Sequence, residues 1–443
     1  MIKVLIYFGI GIVAISMILV DPKEGSMALL LVSLLSYGFL VAFRRHTDEK
    51  DFITYAFLGA LCARLVFGLL VHTYELRDFL GPDSFGYDLR GSMISDFWLG
   101  HGLNNDPELK FIMSLRGPGW GMNYLVACIY TVTGRSIFIA QSFCAVIGAA
   151  AVPMVYFCSF SVFHNKRSAK IAALIVAFFP AFIIWSSQLL KDGLIVFLLV
   201  LAITMVLQIQ KQFSWGGVIL LIFSLFGIMS LRFYIFYMVA IAVAGGFIVG
   251  LKTSLKAIAQ RSAVLLLIAL GLIYLGVIHT VSLDLETYGS LESVQRSRSD
   301  LVQSAESGFG DHQDVSTVGG ALAVLPIGFL NLMFAPFPWE VRNFRQSLTL
   351  PEILVWWALI PFLIYGLVFT LKHHLRASFP VLIFITILTV AYSVFQGNVG
   401  TAYRQRIQIQ VFLFIFIGVA WGLIRERLED RKLVEMNRRR GIR

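Results

Sequence analysis

Apolar positions along this chain run in blocks, not in the alternation of strands or the narrow stripe of surface helices. Stretches of near twenty residues with almost no charge recur from end to end, separated by short polar breaks. Each is long enough to cross the roughly 30 Å hydrocarbon layer as a helix. The pattern predicts spans at about 2–20, 27–43, 52–73, 138–160, 168–186, 190–208, 215–231, 233–250, 263–281, 352–371, 378–395 and 407–424. Lys3 precedes the first of these as it would a secretory leader. Asp21-Pro22-Lys23 stands where a small-residue cleavage site would be, so the segment counts as a span. The expected fold class is all-α: a polytopic helical membrane protein of about twelve transmembrane helices, forming a single integral membrane domain over 1–443. No internal repeat suggests the inverted halves of a transporter.

Sidedness follows from Lys and Arg in the short connections. Basic clusters fall at Arg44-Arg45, at Lys166-Arg167 with Lys170, at Lys252, Lys256 and Arg261, at Lys372 with Arg376, and in the tail 425–443. All share the cytoplasmic side only if two further apolar stretches, about 118–134 and 320–336, do not fully cross. Both are therefore expected to be re-entrant or interfacial helices. On that topology both termini are cytoplasmic, and the cytoplasmic side carries 21 Lys and Arg against 7 acids, the outer side 13 against 19. Two long outer loops result, about 74–117 and 282–351. The first has Phe79, Phe85, Tyr87, Phe97 and Trp98 at near-helical spacing and is expected to be folded. The second opens with a polar stretch, 290–320, expected to act as a mobile lid. It returns to the bilayer through Phe334-Ala335-Pro336-Phe337-Pro338-Trp339, which suits an interfacial turn.

Composition agrees. Of 443 residues 58% are hydrophobic and 14% charged, with a mean hydropathy of +0.80. Soluble domains carry about 25% charged residues, so soluble, disordered and disulfide-scaffold classes are excluded. The net charge of +10 is mostly an orientation signal, and no folded basic domain exists to bind nucleic acid. Cys62, Cys128, Cys144 and Cys158 lie in apolar stretches and read as small buried hydrophobes.

Candidate chemistry gathers on the outer side. Asp83, in Gly81-Pro82-Asp83-Ser84-Phe85-Gly86-Tyr87-Asp88, follows a Gly-Pro turn at an N-cap position. It reads either as a cap or as a carboxylate that takes a proton from an alcohol or helps hold a metal. Asp88 faces another side of that helix and ranks lower. Lys191 and Asp192 follow Trp185-Ser186-Ser187-Gln188 at the head of a span, where an anchor, a helix cap and a site residue are all open readings. Arg232, Arg404 and Arg406 border the bilayer on the side opposite the positive-inside bias. They either snorkel or hold phosphate oxygens bidentately. Arg64 lies inside a span, where charge is by default a functional hypothesis. The histidines show no ligand spacing for zinc, and no glycine-rich phosphate loop suggests direct ATP use.

This arrangement resembles the GT-C superfamily of polytopic glycosyltransferases, which use polyprenyl-phosphate sugars, and is most similar to the protein-mannosyltransferase-like bacterial branch. The resemblance is carried by 83–87, by Arg116-Gly117-Pro118-Gly119-Trp120, Thr133-Gly134-Arg135-Ser136, Phe179-Pro180, 186–192 and Tyr403-Arg404-Gln405-Arg406. It covers about 75–210, and the remainder by hydropathy. It implies Asp83 as the essential loop carboxylate and general base, and Asp192 as a second acidic residue. It also implies a divalent cation, Mg or Mn, near Asp83 and Asp192. The partners implied are a polyprenyl-phosphate-linked sugar and a glycan, lipid or protein hydroxyl, in a bacterial plasma membrane. Arg404, Arg406, Arg232, Tyr87 and Lys191 would bind the substrate and its lipid phosphate. The chain departs from the pattern in having two extra spans before the catalytic loop. It also has a single Asp where many relatives show an Asp-Glu pair. A surface-polysaccharide polymerase or ligase working through the outer arginines is the alternative reading, and a lipid or solute transporter the second.

Overall fold

The computed structural model describes residues 2–101, 107–114, 119–249, 255–275, 290–303, 308–309, 314–341 and 343–439. Its elements, in order, are α1 (Ile2–Val20), α2 (Pro22–Arg44), α3 (Lys50–Thr73), α4 (Arg77–Leu80), α5 (Asp83–Trp98), α6 (Pro107–Met113), α7 (Trp120–Thr133), α8 (Ile137–Phe163), α9 (Lys166–Phe178) and α10 (Pro180–Ser186). There follow α11 (Asp192–Lys211), α12 (Trp215–Leu231), α13 (Phe233–Val249), α14 (Leu255–Tyr274), α15 (Leu291–Gln303), α16 (Val318–Phe334), α17 (Phe344–His373), α18 (Leu375–Phe395) and α19 (Val399–Arg439).

The chain is an all-helical polytopic membrane protein. Among the described residues eight helices are long and apolar enough to cross: α1, α2, α3, α8, α11, α17, α18 and α19. The α9–α10 pair makes a ninth, bent by 56°. Length and composition thus support eight or nine of the twelve spans that hydropathy suggests. The shortfall has a local cause. The α12 and α13 helices have 17 residues each because the chain turns at Arg232, giving each about 25 Å of rise. The run 263–281 continues past residue 275, outside the described residues.

The bend between α9 and α10 follows from Pro180, which has no N–H to continue the helix. Arg64 of α3 serves that break. Its Nε donates to Ser186 Oγ at 2.8 Å, and its Nη1 donates to the carbonyls of Ala177 at 3.1 Å and Ala60 at 3.0 Å. The intramembrane charge left without a partner by the sequence is therefore a stitch across a broken helix. Cys144 and Cys158 are buried and Cys62 half-buried, but Cys128 is exposed, contrary to the expectation for all four.

The two ends of the bundle differ in kind. At one, Lys166 and Lys170 pair with Glu49 at 3.5 and 2.7 Å, and Arg167 pairs with Glu429 at 2.8 Å. At the other lie Asp83 and Asp192, both paired with Arg404. Arg404 and Glu429 belong to the same helix, 25 residues or about 37 Å apart. The basic clusters at 166–170 and in the tail thus share one end, away from the acidic site candidates.

Over the site end lies a helical layer. The α7 helix has 14 residues, too few to cross, and pairs with α5. Asp88 is the tie: it accepts from Tyr130 Oη at 2.8 Å and from Arg135 Nη2 at 2.5 Å. Burial, and then the bond to Asp88, push the Tyr130 phenol up. The polar stretch 290–303, expected as part of a mobile lid, is the helix α15. It is docked by the buried Arg298, which donates to the carbonyls of Val394 and Gln396 at 2.9 and 2.7 Å; much of 304–313 lies outside the described residues. Gln295 of α15 accepts from Val315 N ahead of α16 at 2.8 Å, and Arg406 binds carbonyls at the other end of α16.

Asp88 should therefore stabilise the layer over the site end. Asp88→Ala leaves a buried phenol without its charged acceptor, a loss of about 2 kcal/mol. Thermal unfolding in detergent should show a midpoint several degrees lower, with a smaller drop for Tyr130→Phe. An unchanged midpoint for Asp88→Ala would remove the brace.

Candidate active site

Asp192 is fully buried at this end, with none of its surface exposed. The Ser186–Asp192 turn is held where it is because Gly148 and Gly193 face Ser186. A Cβ on either would come within 2.4 or 2.6 Å of the serine side chain. Asp192 is then the first residue of α11, where the unpaired N–H groups of a helix start favour a carboxylate. Its Oδ1 accepts from Arg232 Nη2 at 3.2 Å, and its Oδ2 from Arg404 Nε at 2.7 Å.

Arg404 joins two carboxylates. Its Nε and Nη2 face Asp192 Oδ2, and its Nη1 donates to Asp83 Oδ2 at 2.6 Å. The guanidinium also stands 5.3 Å from the ring of Trp185, a cation–π distance. The Asp83 side chain is 49% exposed, whereas that of Asp192 is 0%. Asp83 is not the helix cap that its position suggested. Pro82 holds the cap position and Asp83 opens α5, so its carboxylate is available to Arg404.

Of the other candidates, Tyr87 lies one turn after Asp83 and is half-buried. Burial, and then the negative charge of Asp83, push its phenol up to about 12, so it acts only as a neutral donor or acceptor. Lys191 is half-buried, and its Nζ lies 2.9 Å from where a Cβ of Gly119 would be. Gly119 adopts φ +85°, which glycine takes at no steric cost. Among the described residues Lys191 has no hydrogen-bond or ion-pair partner. Arg232 Nη1 is likewise buried without one. Of the segment 116–120, Arg116-Gly117-Pro118 lies outside the described residues.

Arg406 is the exception among the predicted phosphate ligands. Two residues after Arg404 it points to the opposite side of α19, is fully buried, and donates through Nη1 to the carbonyls of Met333 and Ala335 at 3.1 and 2.9 Å. It closes the end of α16 and does not join the cluster. The cluster itself sets three cationic groups, Arg404, Arg232 and Lys191, against two carboxylates. A surplus of positive charge beside a half-exposed carboxylate is suited to a phosphate-bearing donor and a hydroxyl nucleophile.

A divalent ion does not fit this donor set. Both oxygens of Asp192 are committed to arginines, and the Arg404 guanidinium fills the position between Asp83 and Asp192 that a shared ion would need. Among the described residues no three His, Cys, Asp or Glu side chains gather as ligands.

Trp185 and Tyr403 stand in segments the sequence singles out without assigning them a site role, and Glu352 is not singled out at all. Tyr403 Oη donates to Glu352 Oε2 at 2.8 Å. Glu352 had a signal, since it is an acid at the head of an apolar run, the same kind of oddity that drew attention to Arg64.

Residues 93–275 match the sequence profile of the dolichyl-phosphate-mannose-protein mannosyltransferase family, a family of GT-C membrane glycosyltransferases. The matched stretch holds Lys191, Asp192 and Arg232, with Asp83 before it and Arg404 after it. The chain is thus an enzyme that works on a lipid-linked sugar donor. No curated protein matches it.

The two acids should separate in stability. Asp192→Ala leaves two buried guanidiniums without their shared carboxylate, a loss of about 3–5 kcal/mol. Asp83→Asn, at a half-exposed pair, should cost about 1 kcal/mol or less. Thermal melts of the two variants in one detergent check the order, and equal midpoints would contradict it.

Proposed function

We propose that the protein transfers a hexose, mannose on the family's description, from a polyprenyl-phosphate donor to a hydroxyl on a protein acceptor. The observation that carries this reading is the ion-paired chain Asp83–Arg404–Asp192–Arg232. Asp83 is the general base. The acceptor oxygen attacks the anomeric carbon, its proton passes to Asp83, and the bond from that carbon to the phosphate oxygen breaks with its electron pair leaving on the phosphate. The configuration inverts. Arg404, Arg232 and Lys191 stabilise the departing phosphate. Asp192 orients the two arginines and, being fully buried, takes no proton from the acceptor. Arg404 accounts for the positive charge otherwise asked of a cation. In the free enzyme it also holds Asp83, so the arriving phosphate frees the base as it binds.

The end bearing Asp83 faces outward and the basic end inward, the sense supported by the 21 and 13 Lys and Arg on the two sides. With α12, α13 and α14 running between the two ends, the count returns to twelve crossings. Cysteine introduced at position 83 should then react with an impermeant reagent from outside, and cysteine at 429 from inside only. The reverse would overturn the topology.

Asp83→Asn keeps size and shape but loses basicity, so transfer of labelled sugar should fall on the order of 10²–10⁴-fold. Arg404→Lys keeps the charge and loses the planar fork, so it should chiefly raise the donor KM. Equal turnover by wild type and Asp83→Asn would end the case for the base. An active Asp83→Asn with a dead Arg404→Lys would favour chemistry resting on the arginines.

A further inference from the structure

Beside Arg404 a second group of side chains is left with unspent hydrogen-bonding capacity. Trp185 shares its ring with Arg404, at 5.3 Å, and with Tyr403, at 6.4 Å edge-on. Its Nε1–H is buried and has no acceptor. Tyr403 leads on to Glu352, whose Oε2 accepts a hydrogen bond from the phenol at 2.8 Å and whose Oε1 is buried without a donor. Glu352 is 5% exposed. Arg406 lies 5.0 Å from the Tyr403 ring, with Nε and Nη2 also unpartnered. A buried carboxylate oxygen and several buried N–H groups left unmade each carry a desolvation cost of about 1–3 kcal/mol. Packing alone gives no reason for collecting them next to the reaction centre.

The chemistry of the set is specific. An acceptor-only carboxylate oxygen, an indole N–H and guanidinium N–H groups, framed by two aromatic rings, match a ligand with several O–H groups and an apolar ring face. They do not match a second phosphate, which Glu352 would repel, nor an alkyl chain, which would leave every one of these groups unpaired. We infer that Glu352, Tyr403 and Trp185, with Arg406 behind them, form the subsite that reads the hydroxyls of a neutral hexosyl group on the donor. This rests on the transferase reading of the adjoining cluster. The lipid phosphate lies at Arg404 and Lys191, the sugar extends along Trp185 toward Glu352, and selection among sugars follows from which hydroxyl finds the free carboxylate oxygen. A site that hydrogen-bonds a substrate hydroxyl discriminates strongly against the analogue without it.

The test sets enzyme variants against deoxy donors. Glu352→Gln still accepts from Tyr403 through its amide oxygen, but it offers an NH₂ where the free oxygen stood. For wild type, one monodeoxy polyprenyl-phosphate hexose should lose about 10–100-fold in kcat/KM, the scale of one hydrogen bond to a charged group. Glu352→Gln should lose a similar factor with the full sugar and nothing further with that same deoxy donor, since both remove one interaction. Trp185→Phe, which keeps a ring under Arg404, should erase the penalty at a different hydroxyl and guards against misfolding at position 352. Equal deoxy penalties in wild type and both variants would overturn the subsite and leave Asp83 untouched. If wild type transfers no sugar, the transferase reading fails by itself. The subsite is then judged by binding: wild type should hold polyprenyl-phosphate mannose at least tenfold tighter than polyprenyl phosphate, and Glu352→Gln should lose that margin. Equal affinities for the two lipids would refute it.

Discussion

A single buried carboxylate organises the working end of this molecule. Asp192 sits at the start of a helix with none of its surface exposed, so its charge must be met inside the protein. Arg232 meets it from the turn between α12 and α13, and Arg404 from the first turns of α19. A buried ion pair missing one member costs more than the pair gains, so three distant parts of the chain are constrained to converge there. Arg404 then has one nitrogen left for Asp83, which draws the loop helix α5 onto the bundle. The geometry of the site is thus a consequence of neutralising one acid.

The same pairing sets the chemical asymmetry between the two acids. Asp192 cannot reach solvent and is neutralised twice over, so its task is to aim guanidiniums. Asp83 shares one arginine and keeps about half of its side chain in the open. An incoming phosphate competes for Arg404 with Asp83 far more easily than with Asp192. On the proposed function, donor binding and activation of the base are thereby one event, and the 2.6 Å contact with Arg404 keeps Asp83 engaged until the donor arrives.

The bilayer character and the gathering of basic clusters at one end of the bundle were legible in the sequence, because both are set by local composition. Asp83, Asp192, Arg232, Arg404, Tyr87 and Lys191 were legible as candidates for the same reason: polar residues at the edge of an apolar run need explaining. What could not be read was pairing. Arg404 and Arg406 are two residues apart and look alike, yet helix geometry turns one to the carboxylates and the other to the carbonyls of Met333 and Ala335. Asp83 looked like a cap because Gly-Pro precedes it, but the cap position fell one residue earlier. Glu352 was hidden because its partner, Tyr403, is 51 residues away in sequence. The docking of α15 was not legible either, because its sequence is polar and Arg298, which anchors it, looks like one more surface charge.

The central claim is that Arg404 passes from Asp83 to the donor phosphate. A structure of the protein with polyprenyl phosphate bound, determined in lipid nanodiscs, tests it most directly. The account predicts phosphate oxygens within about 2.7–3.2 Å of Arg404 and Lys191 nitrogens, the Arg404–Asp192 pair intact, and the 2.6 Å contact between Arg404 and Asp83 broken. Phosphate bound away from Arg404, with that contact still in place, would contradict it.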